Sequence, residues 1–325
     1  RLLKFLADFT RHCTSSKWRS AMTVFNQANA LALDAFDEIE GLNEPTKKAE
    51  PFLAAFTSES DRQKLIDEFE HVDELGGHTA YTLLEGEEIH ELEPSLGEAV
   101  TCGVRLADQR FINPGRFVHA LADAVRERGG EIVDGNVRDI RETSSGVELV
   151  IKDGAPMQAD AAVVATGTWL GSLARDLGVS TIVQAGRGYS FTVQPEHMPL
   201  APIYFPTQRV ACTPLGDGFR IAGMMEFRKP DAPLDPRRIK AIVDAARPML
   251  TGVDWEARTD DWVGARPCTA DGLPLVGRTK SARVFVSGGH GMWGIALGPL
   301  SGKLLAAQIA RGETAGLLSS FDPLR

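Results

Sequence analysis

The sequence predicts an α/β body interleaved with an antiparallel α+β body, and three observations support this fold class. Residues 159–167 (ADAAVVATG) form an apolar run that ends in Thr-Gly, as a buried parallel strand does. A second apolar run at 283–287 (RVFVS) leads into a glycine-rich loop and a helix of small residues. Between them, residues 180–228 contain short strand-like runs separated by proline and glycine, which is typical of an antiparallel sheet.

Segments with the α/β pattern alternate along the chain with segments of helices and antiparallel strands. This alternation predicts two domains, and the chain passes between them more than once. We assign residues 101–178 and 262–325 to the α/β domain, and residues 20–100 and 180–260 to the second domain. Periodicity predicts helices over residues 1–40, 58–75, 87–92, 115–128, 235–250 and 298–310, and strands over 100–106, 131–133, 137–142, 147–152 and 283–287.

Local signals set several of these boundaries. Ser58 or Ser60 caps the helix over 58–75, because a serine hydroxyl accepts a hydrogen bond from a backbone N–H of the first turn. Asn113-Pro114 opens the helix over 115–128, because proline is pre-organised for a first helical position. Gly298-Pro299 gives the same signal for the last helix.

Composition limits the function classes. The 325 residues carry a formal net charge of −9 and no basic stripe that could follow a phosphate backbone, so nucleic acid is not an expected partner. The four cysteines lie far apart without metal-ligand spacing, so we expect reduced thiols, a cytoplasmic location and no metal. No apolar run is long enough for a membrane span.

The strongest local signal is the loop at 288–294 (GGHGMWG), which joins a predicted strand to a predicted helix. Its four glycines allow a ligand to approach the backbone closely. A loop that opens a helix also gathers free backbone N–H groups, which favour an anion or an electron-rich ligand edge. A tight structural turn is the alternative interpretation.

A second motif lies just upstream, at 264–277 (GARPCTADGLPLVG). Together, its RPxTxDGxPxxG pattern and the GGHG loop resemble the FAD-dependent D-amino-acid dehydrogenase and glycine oxidase family. The segments FINPGRFVHALADAVRERGGEI, VVATGTW, GRGYS and RIAGMMEF agree with the family, so the resemblance covers almost the whole chain. It implies a Rossmann-like FAD-binding domain interleaved with a substrate domain, with a small amino acid as the substrate.

The resemblance also implies roles for three residues toward the substrate. Arg266 is expected to pair with the substrate carboxylate, because a planar guanidinium can grip both carboxylate oxygens. A salt bridge within the protein is the alternative for this arginine. Tyr189 is expected either to offer its hydroxyl to the substrate or to be a core aromatic, and Tyr204 is a rival for the same role.

For FAD, the resemblance implies three groups of contacts. Backbone N–H groups of the glycine loop would stabilise negative charge on the reduced isoalloxazine ring, while the histidine of the loop is either a ligand or structural. The end of a strand would lie beside the diphosphate, and a tryptophan after it would either shield the flavin or pack within the protein. The backbone of a further strand would contact the adenine. The residues concerned are Gly289, His290, Gly291, Met292, Trp293 and Gly294; Ala165, Thr166, Gly167 and Trp169; and Val137.

The sequence departs from the family at two places. Met292 stands where some relatives place a second arginine, which argues against glycine oxidase specificity. The family also begins with a strand, a GxGxxG turn and an acidic residue for the ribose, and no such unit occurs here. We therefore expect an incomplete FAD-binding domain, whose missing unit would lie before Arg1.

Three functions stay open at this point. The first is FAD-dependent oxidative deamination of a D-amino acid or related amino acid to a 2-oxo acid and ammonia. The second is a glycine or sarcosine type of amine oxidase, and the third is a non-catalytic remnant or subunit without flavin. Oxygen or a respiratory acceptor, a peripheral position on the inner membrane face, and a homo-oligomer are equally left open.

We predict that the 325-residue chain by itself binds FAD weakly. Without a ribose carboxylate and a diphosphate-binding helix end, it lacks charge-assisted hydrogen bonds worth about 1.5–3 kcal/mol each. Because ~1.4 kcal/mol changes affinity about tenfold, micromolar or tighter binding should not be reached. Fluorescence quenching in an FAD titration measures the dissociation constant, and a chain extended by a strand–GxGxxG–helix unit is the control. Tight binding by the 325-residue chain would contradict this prediction.

Overall fold

The computed structural model describes residues 2–39 and 42–325, so Arg1 and Glu40, at the two ends of the first predicted helical stretch, lie outside the described residues. The helices are α1 (Leu2–His12), α2 (Ser15–Asp37), α3 (Glu59–Asp73), α4 (Gly86–Leu92), α5 (Pro114–Glu127), α6 (Leu170–Ala174), α7 (Pro236–Ala246), α8 (Gly294–Arg311) and α9 (Gly316–Ser320), with 3₁₀ turns at Gly167–Trp169 and Arg247–Met249. The strands are β1 (Lys47–Lys48), β2 (Phe52–Phe56), β3 (Tyr81–Glu85), β4 (Cys102–Leu106), β5 (Arg110–Phe111), β6 (Val137–Glu142), β7 (Val147–Ile151), β8 (Met157–Ala159), β9 (Ala162–Val164), β10 (Gln184–Val193), β11 (Ile203–Phe205), β12 (Val210–Leu215), β13 (Gly218–Phe227), β14 (Thr259–Cys268), β15 (Leu275–Arg278) and β16 (Val284–Gly288).

Helix starts agree with the local signals in two places. α3 begins after Ser58, whose hydroxyl accepts a hydrogen bond from the Asp61 amide at 3.3 Å, so Ser58 rather than Ser60 is the cap. α5 begins at Pro114, as a proline in the first helical position predicts. Capping chemistry is local, which is why sequence alone locates these boundaries.

Two predictions of local structure are wrong. α8 begins at Gly294, earlier than the predicted start near Gly298, because Pro299 is accommodated inside the helix rather than at its first position. Residues 131–133 form no strand, and the side chains of Ile132 and Val133 are exposed. An apolar run that lacks a neighbouring strand has no ladder of hydrogen bonds to hold it extended.

The chain divides into two compact units. The first consists of Arg1–Leu42, Val118–Gly186 and Ala265–Arg325, and the second consists of Asn43–Phe117 and Arg187–Gly264. Residues 20–42 thus belong with the first unit, and residues 101–117 with the second, unlike the domain boundaries drawn from sequence texture. The assignment of FAD to one unit and substrate to the other stays a prediction.

Packing of α2 explains its place in the first unit. Its buried hydrophobic residues share one helical face and lie in the same hydrophobic cluster as residues of α8 and α9. The sequence pattern does not predict this packing, because an amphipathic helix shows which of its faces is apolar but not which domain that face packs against. The cluster includes Phe25, Ala28, Ala32 and Ala35 from α2, Leu297, Leu300 and Leu305 from α8, and Leu318 from α9.

The central sheet of the first unit has the order β15-β16-β9. β9 and β16 pair in parallel, as the two apolar runs predict, and β15 pairs antiparallel with β16. Val284 and Val286 enter one hydrophobic cluster and Phe285 enters another, so both faces of β16 are covered. Because parallel strands end at the same edge, the segments that follow β9 and β16 emerge side by side. β6, β7 and β8 form a separate antiparallel sheet.

The second unit is built on a sheet with the order β14-β10-β13-β12-β11-β2-β4-β3. The sheet is mixed rather than purely antiparallel, because β2 and β11 run parallel. One face packs with α7 into the largest core, which includes Tyr189 and Phe191 of β10 and Ile239 of α7. On the opposite face, α3 covers part of the sheet near Phe56.

Three further findings apply to the described part of the chain. No helix there is long and apolar enough to cross a lipid bilayer. No group of three or more His, Cys, Asp and Glu side chains there could hold a metal ion. The four cysteines are free thiols.

Candidate functional site

Arg266 lies near the end of β14 and is half-buried. Burial lowers the pKa of its guanidinium below the ordinary value, while the neighbouring Cys268 acts in the opposite direction. An arginine keeps its charge in spite of such a shift. A partly desolvated cation is stabilised by any carboxylate that reaches it, so this side chain suits an anionic ligand.

The glycine-rich loop is tied directly to the end of this strand. The Gly291 amide donates a hydrogen bond to the Pro267 carbonyl at 2.9 Å. Cys268 and His290 form an isolated antiparallel bridge. The Arg266 segment and the GGHG loop, which are two motifs in sequence, are therefore joined by backbone contacts in the fold.

Two glycines of the loop are required by its backbone. Gly289 has a φ of 71° and Gly291 a φ of 55°, in the left-handed region where glycine has no Cβ penalty. A Cβ on Gly289 would also lie only 2.9 Å from Cγ2 of Thr269. No heavy atom lies within 4 Å of a Cβ position on Gly291, which leaves room for a ligand over the backbone.

A third segment reaches the same edge of the central sheet. A Cβ on Gly288 would lie 2.6 Å from Cδ1 of Leu170, so the chain after β9 contacts the end of β16. Gly167 has a φ of 56° and open space at its Cβ position. Trp169 is 57% exposed. Residues 165–170, 266–269 and 288–294 thus meet at one edge, with open backbone at two positions.

These segments contain unused hydrogen-bonding groups that fit an isoalloxazine ring and its linker. α8 begins after Trp293 without a side-chain cap, so its first N–H groups have no side-chain acceptor. Oγ1 of Thr168 is buried and has no hydrogen-bond partner among the described residues. The edge of a flavin carries acceptor atoms that match such donors. Met292 in the same loop is 67% exposed. The residues present therefore fit the cofactor that the resemblance implies.

His290 is held inside the protein. Its side chain is 9% exposed, and Nε2 shares a hydrogen bond with Oγ of Ser301 at 2.9 Å. Burial lowers the pKa of the imidazole to about 4, so the ring is neutral at physiological pH. This arrangement pins the loop to α8 and favours the structural alternative for His290. Within the loop, the backbone N–H groups rather than the imidazole therefore supply positive potential.

Sequence reasoning missed two residues that support the loop. The ring of Phe25 in α2 lies 5.2 Å from that of Trp293, measured between centroids. Ser301, one of the buried polar residues, is the hydrogen-bond partner of His290. Phe25 was visible only as one member of a helical apolar face, and nothing in the sequence links Ser301 to a histidine in another segment.

Val137 belongs to a different sheet from β9 and β16. It begins β6 and pairs with Ile151 in the antiparallel sheet of the first unit. Its side chain is half-buried. The role toward adenine that the resemblance implies for Val137 stays a prediction.

Tyr189 lies in the core of the second unit and is 1% exposed. Its hydroxyl donates a hydrogen bond to Oε2 of Glu226 at 2.7 Å and accepts one from the Asp235 backbone. Burial, and then the bond to Glu226, raise the pKa of the phenol. The hydroxyl thus already donates one hydrogen bond and accepts another within the protein, which favours the interpretation of Tyr189 as a core aromatic. A role of Tyr189 toward the substrate stays a prediction.

Tyr204 lies on the other face of the same sheet. Its strand neighbours Ile203 and Phe205 point into the core, so its own side chain points away from the core. Burial raises the pKa of its phenol. Its cross-strand partner is Ala211, which pairs in turn with Ala222, so small side chains flank the ring on this side.

We predict that His290 makes the protein less stable in mild acid. Because its pKa is about 4 when folded and 6.5 in the reference state, the unfolded chain binds the proton first as pH falls. The free energy of unfolding should therefore fall between pH 6.5 and pH 4, by roughly 3 kcal/mol at most. Urea unfolding at several pH values measures the slope. His290→Gln should flatten it, the exposed His197→Gln should not, and an unchanged slope in His290→Gln would contradict the assignment.

We predict that Tyr189→Phe destabilises the protein, because Oε2 of Glu226 and a backbone N–H lose their hydrogen bonds to the phenol hydroxyl. The loss of free energy of unfolding should be about 1–3 kcal/mol. Urea unfolding measures this loss. Tyr204→Phe is the matched control, since its side chain lies on the face of the sheet that points away from this core. Equal stability of the two variants would argue against the bond to Glu226.

The chain is similar to a known protein family and to known proteins. The family model described as "DAO: FAD dependent oxidoreductase" matches residues 9–308. A D-amino acid dehydrogenase of Vibrio vulnificus (strain YJ016) is 28% identical over 254 residues, which cover 76% of this chain and 61% of that protein. The chain thus spans less than two thirds of the length of this relative.

Solved structures agree in fold. Glycine oxidase from Geobacillus kaustophilus is 26% identical with a TM-score of 0.78, over 92% of this chain and 81% of that one. Glycine oxidase from Bacillus cereus ATCC 14579 is 21% identical with a TM-score of 0.77, over 94% of this chain and 83% of that one. Since the family model covers most of its residues, the chain belongs to the DAO family of FAD dependent oxidoreductases.

Proposed function

We propose that this chain acts in the FAD-dependent oxidative deamination of a D-amino acid, or a related amino acid, to a 2-oxo acid and ammonia. The observation that carries the proposal is the backbone tie between the strand end with Arg266 and the glycine loop, through Gly291 and Pro267. It holds a carboxylate-binding cation next to a set of donors that suit a flavin. The names of the dehydrogenase and oxidase relatives support the same reaction class.

In this proposal, Arg266 binds both oxygens of the substrate carboxylate and so orients the Cα–H bond. Bound FAD would supply the acceptor for the Cα hydride, and loss of that hydride from the neutral amine leaves an iminium ion. Backbone N–H groups of residues 289–294 and the start of α8 stabilise the negative charge that develops at the cofactor edge. His290 stays neutral and moves no proton, and water then hydrolyses the imine product to the 2-oxo acid and ammonia.

The two tyrosines differ in what they can offer. The Tyr189 hydroxyl is occupied by Glu226 and by the Asp235 backbone. The Tyr204 side chain points to the face opposite the core, and its cross-strand partner is an alanine. We therefore assign the second substrate-facing role to Tyr204 rather than Tyr189, with Tyr189 as a support of the core.

The kinetic test of the proposal is Arg266→Lys. Lysine keeps the charge but loses the fork, so one charge-assisted hydrogen bond to the carboxylate is lost. The apparent KM for the amino acid should rise roughly tenfold or more, on the scale of about 1.5–3 kcal/mol for such a bond. Steady-state kinetics of flavin-loaded protein measure this change.

The matched control is Arg278→Lys, since Arg278 is exposed on β15 and should leave KM unchanged. Oxygen consumption and dye reduction are followed in parallel, so that an oxidase and a dehydrogenase give different readouts. An unchanged KM in Arg266→Lys would remove Arg266 from the substrate site. Flavin-loaded protein that turns over neither D-amino acids nor glycine and sarcosine would favour the non-catalytic alternative.

A further inference from the structure

The side chain of Arg325 uses all five of its N–H donors. Nε donates to Oδ2 of Asp271 at 2.7 Å, and Nη2 donates to Oδ1 of the same carboxylate at 3.0 Å. Nη2 also donates to the Leu273 carbonyl at 2.8 Å. Nη1 donates to the carbonyls of Pro274 at 2.9 Å and Asp322 at 3.0 Å. A guanidinium has five donors in a fixed fork, so this site leaves none unpaired.

Asp271, the main partner, belongs to the turn that joins β14 to β15. Burial raises the pKa of this carboxyl, but the bonds from Arg325 outweigh that effect and keep the pKa below its usual range. Oδ1 of Asp271 also accepts the Leu273 amide at 3.1 Å. The hydroxyl of Thr269 donates to the Leu273 carbonyl at 2.9 Å, and Gly272 has a φ of 79°. The turn is therefore held by hydrogen bonds between its own residues and by the hydrogen bonds from Arg325.

This turn contacts the candidate site on one side. Cγ2 of Thr269 and Cγ of Leu275 lie 2.9 Å and 3.4 Å from a Cβ position on Gly289. Cys268, immediately before Thr269, forms the bridge to His290. The turn thus abuts both the end of the strand with Arg266 and the start of the glycine loop, whereas the five hydrogen bonds of Arg325 go to the turn and to Asp322.

The segment that contains Arg325 is itself anchored. Phe321 is fully buried in the cluster shared by α2 and α8, and its carbonyl accepts the Val276 amide at 2.8 Å. Pro323 lies 3.4 Å from a Cβ position on Gly277. The side chains of Arg325 and Asp271 are only 21% and 22% exposed, so their ion pair is partly protected from solvent.

We propose that Arg325 is a positioning residue for the candidate site: its fork fixes the Asp271 turn, and the turn sets the spacing between the strand end with Arg266 and the loop at 289–294. This inference rests on the proposed function for its catalytic consequence only. Arg325 is distant in sequence from both motifs and acts through Asp271. A purely structural role would stabilise the chain without affecting the loop.

Amide exchange separates these two roles without flavin or substrate. The Leu273 amide reports on the turn, and the Gly291 amide, bound to Pro267, reports on the tie to the loop. In Arg325→Lys, the Leu273 amide should exchange about tenfold faster and the Gly291 amide about threefold faster or more. Lysine keeps the charge but cannot make the five bonds, so this variant changes little else.

Two further variants complete the test. Arg311→Lys is the matched control, since Arg311 forms an exposed ion pair with Glu313 and should leave both amides unchanged. Asp271→Asn should speed both amides as Arg325→Lys does. The double variant Asp271→Asn with Arg325→Lys should speed each amide by less than the product of the two single effects, because the two side chains share an ion pair.

Faster exchange at Leu273 with an unchanged Gly291 amide would overturn the proposal, as would no change at either amide. In flavin-loaded protein, Arg325→Lys should raise the apparent KM about fivefold, through misplacement of the carboxylate-binding arginine. Absence of turnover would count against the proposed function alone, because the exchange measurement decides the positioning role independently.

Discussion

The candidate site depends on one pair of backbone contacts: the Gly291 amide on the Pro267 carbonyl, and the bridge between Cys268 and His290. These contacts involve no side-chain chemistry, so the loop is selected by its backbone conformation, which glycine adopts at low cost. The other features of the site belong either to the strand or to the loop. Arg266 belongs to the strand, and the uncapped N–H groups of α8 belong to the loop. The tie thus gives the cation and the helix end a common frame.

The electrostatics of this frame favour an anionic ligand. Arg266 contributes a full positive charge that is partly withdrawn from solvent. His290 contributes none, because burial keeps its imidazole neutral. Asp271 in the following turn does not cancel the charge of Arg266, since its carboxylate is bound on both oxygens by Arg325. The positive charge of this frame therefore comes from Arg266 and from the backbone N–H groups of the loop, and not from the histidine.

Sequence predicts the parts of this frame that depend on short motifs and misses those that depend on distant pairs. The glycine loop and the two apolar strands are legible because glycine spacing and apolar runs are local signals. Phe25 against Trp293, Ser301 on the loop histidine, and Arg325 on Asp271 join ordinary residue types far apart in sequence. Only the fold decides such pairs, since many arginines and phenylalanines in the chain have the same local pattern.

The second unit shows how one backbone angle decides which face of a sheet carries a charge. In a regular strand, Arg220 and Glu226 of β13 would lie on the same face. Arg220 bonds to Ser190 of β10, whereas Glu226 lies 3.9 Å from Arg187 on the opposite face of that strand. Met224 between them has a φ of 70°, which shifts the alternation as a β-bulge does. Because Arg187 is 1% exposed, an unpaired guanidinium there would be strongly destabilising, and the bulge supplies the carboxylate that offsets it.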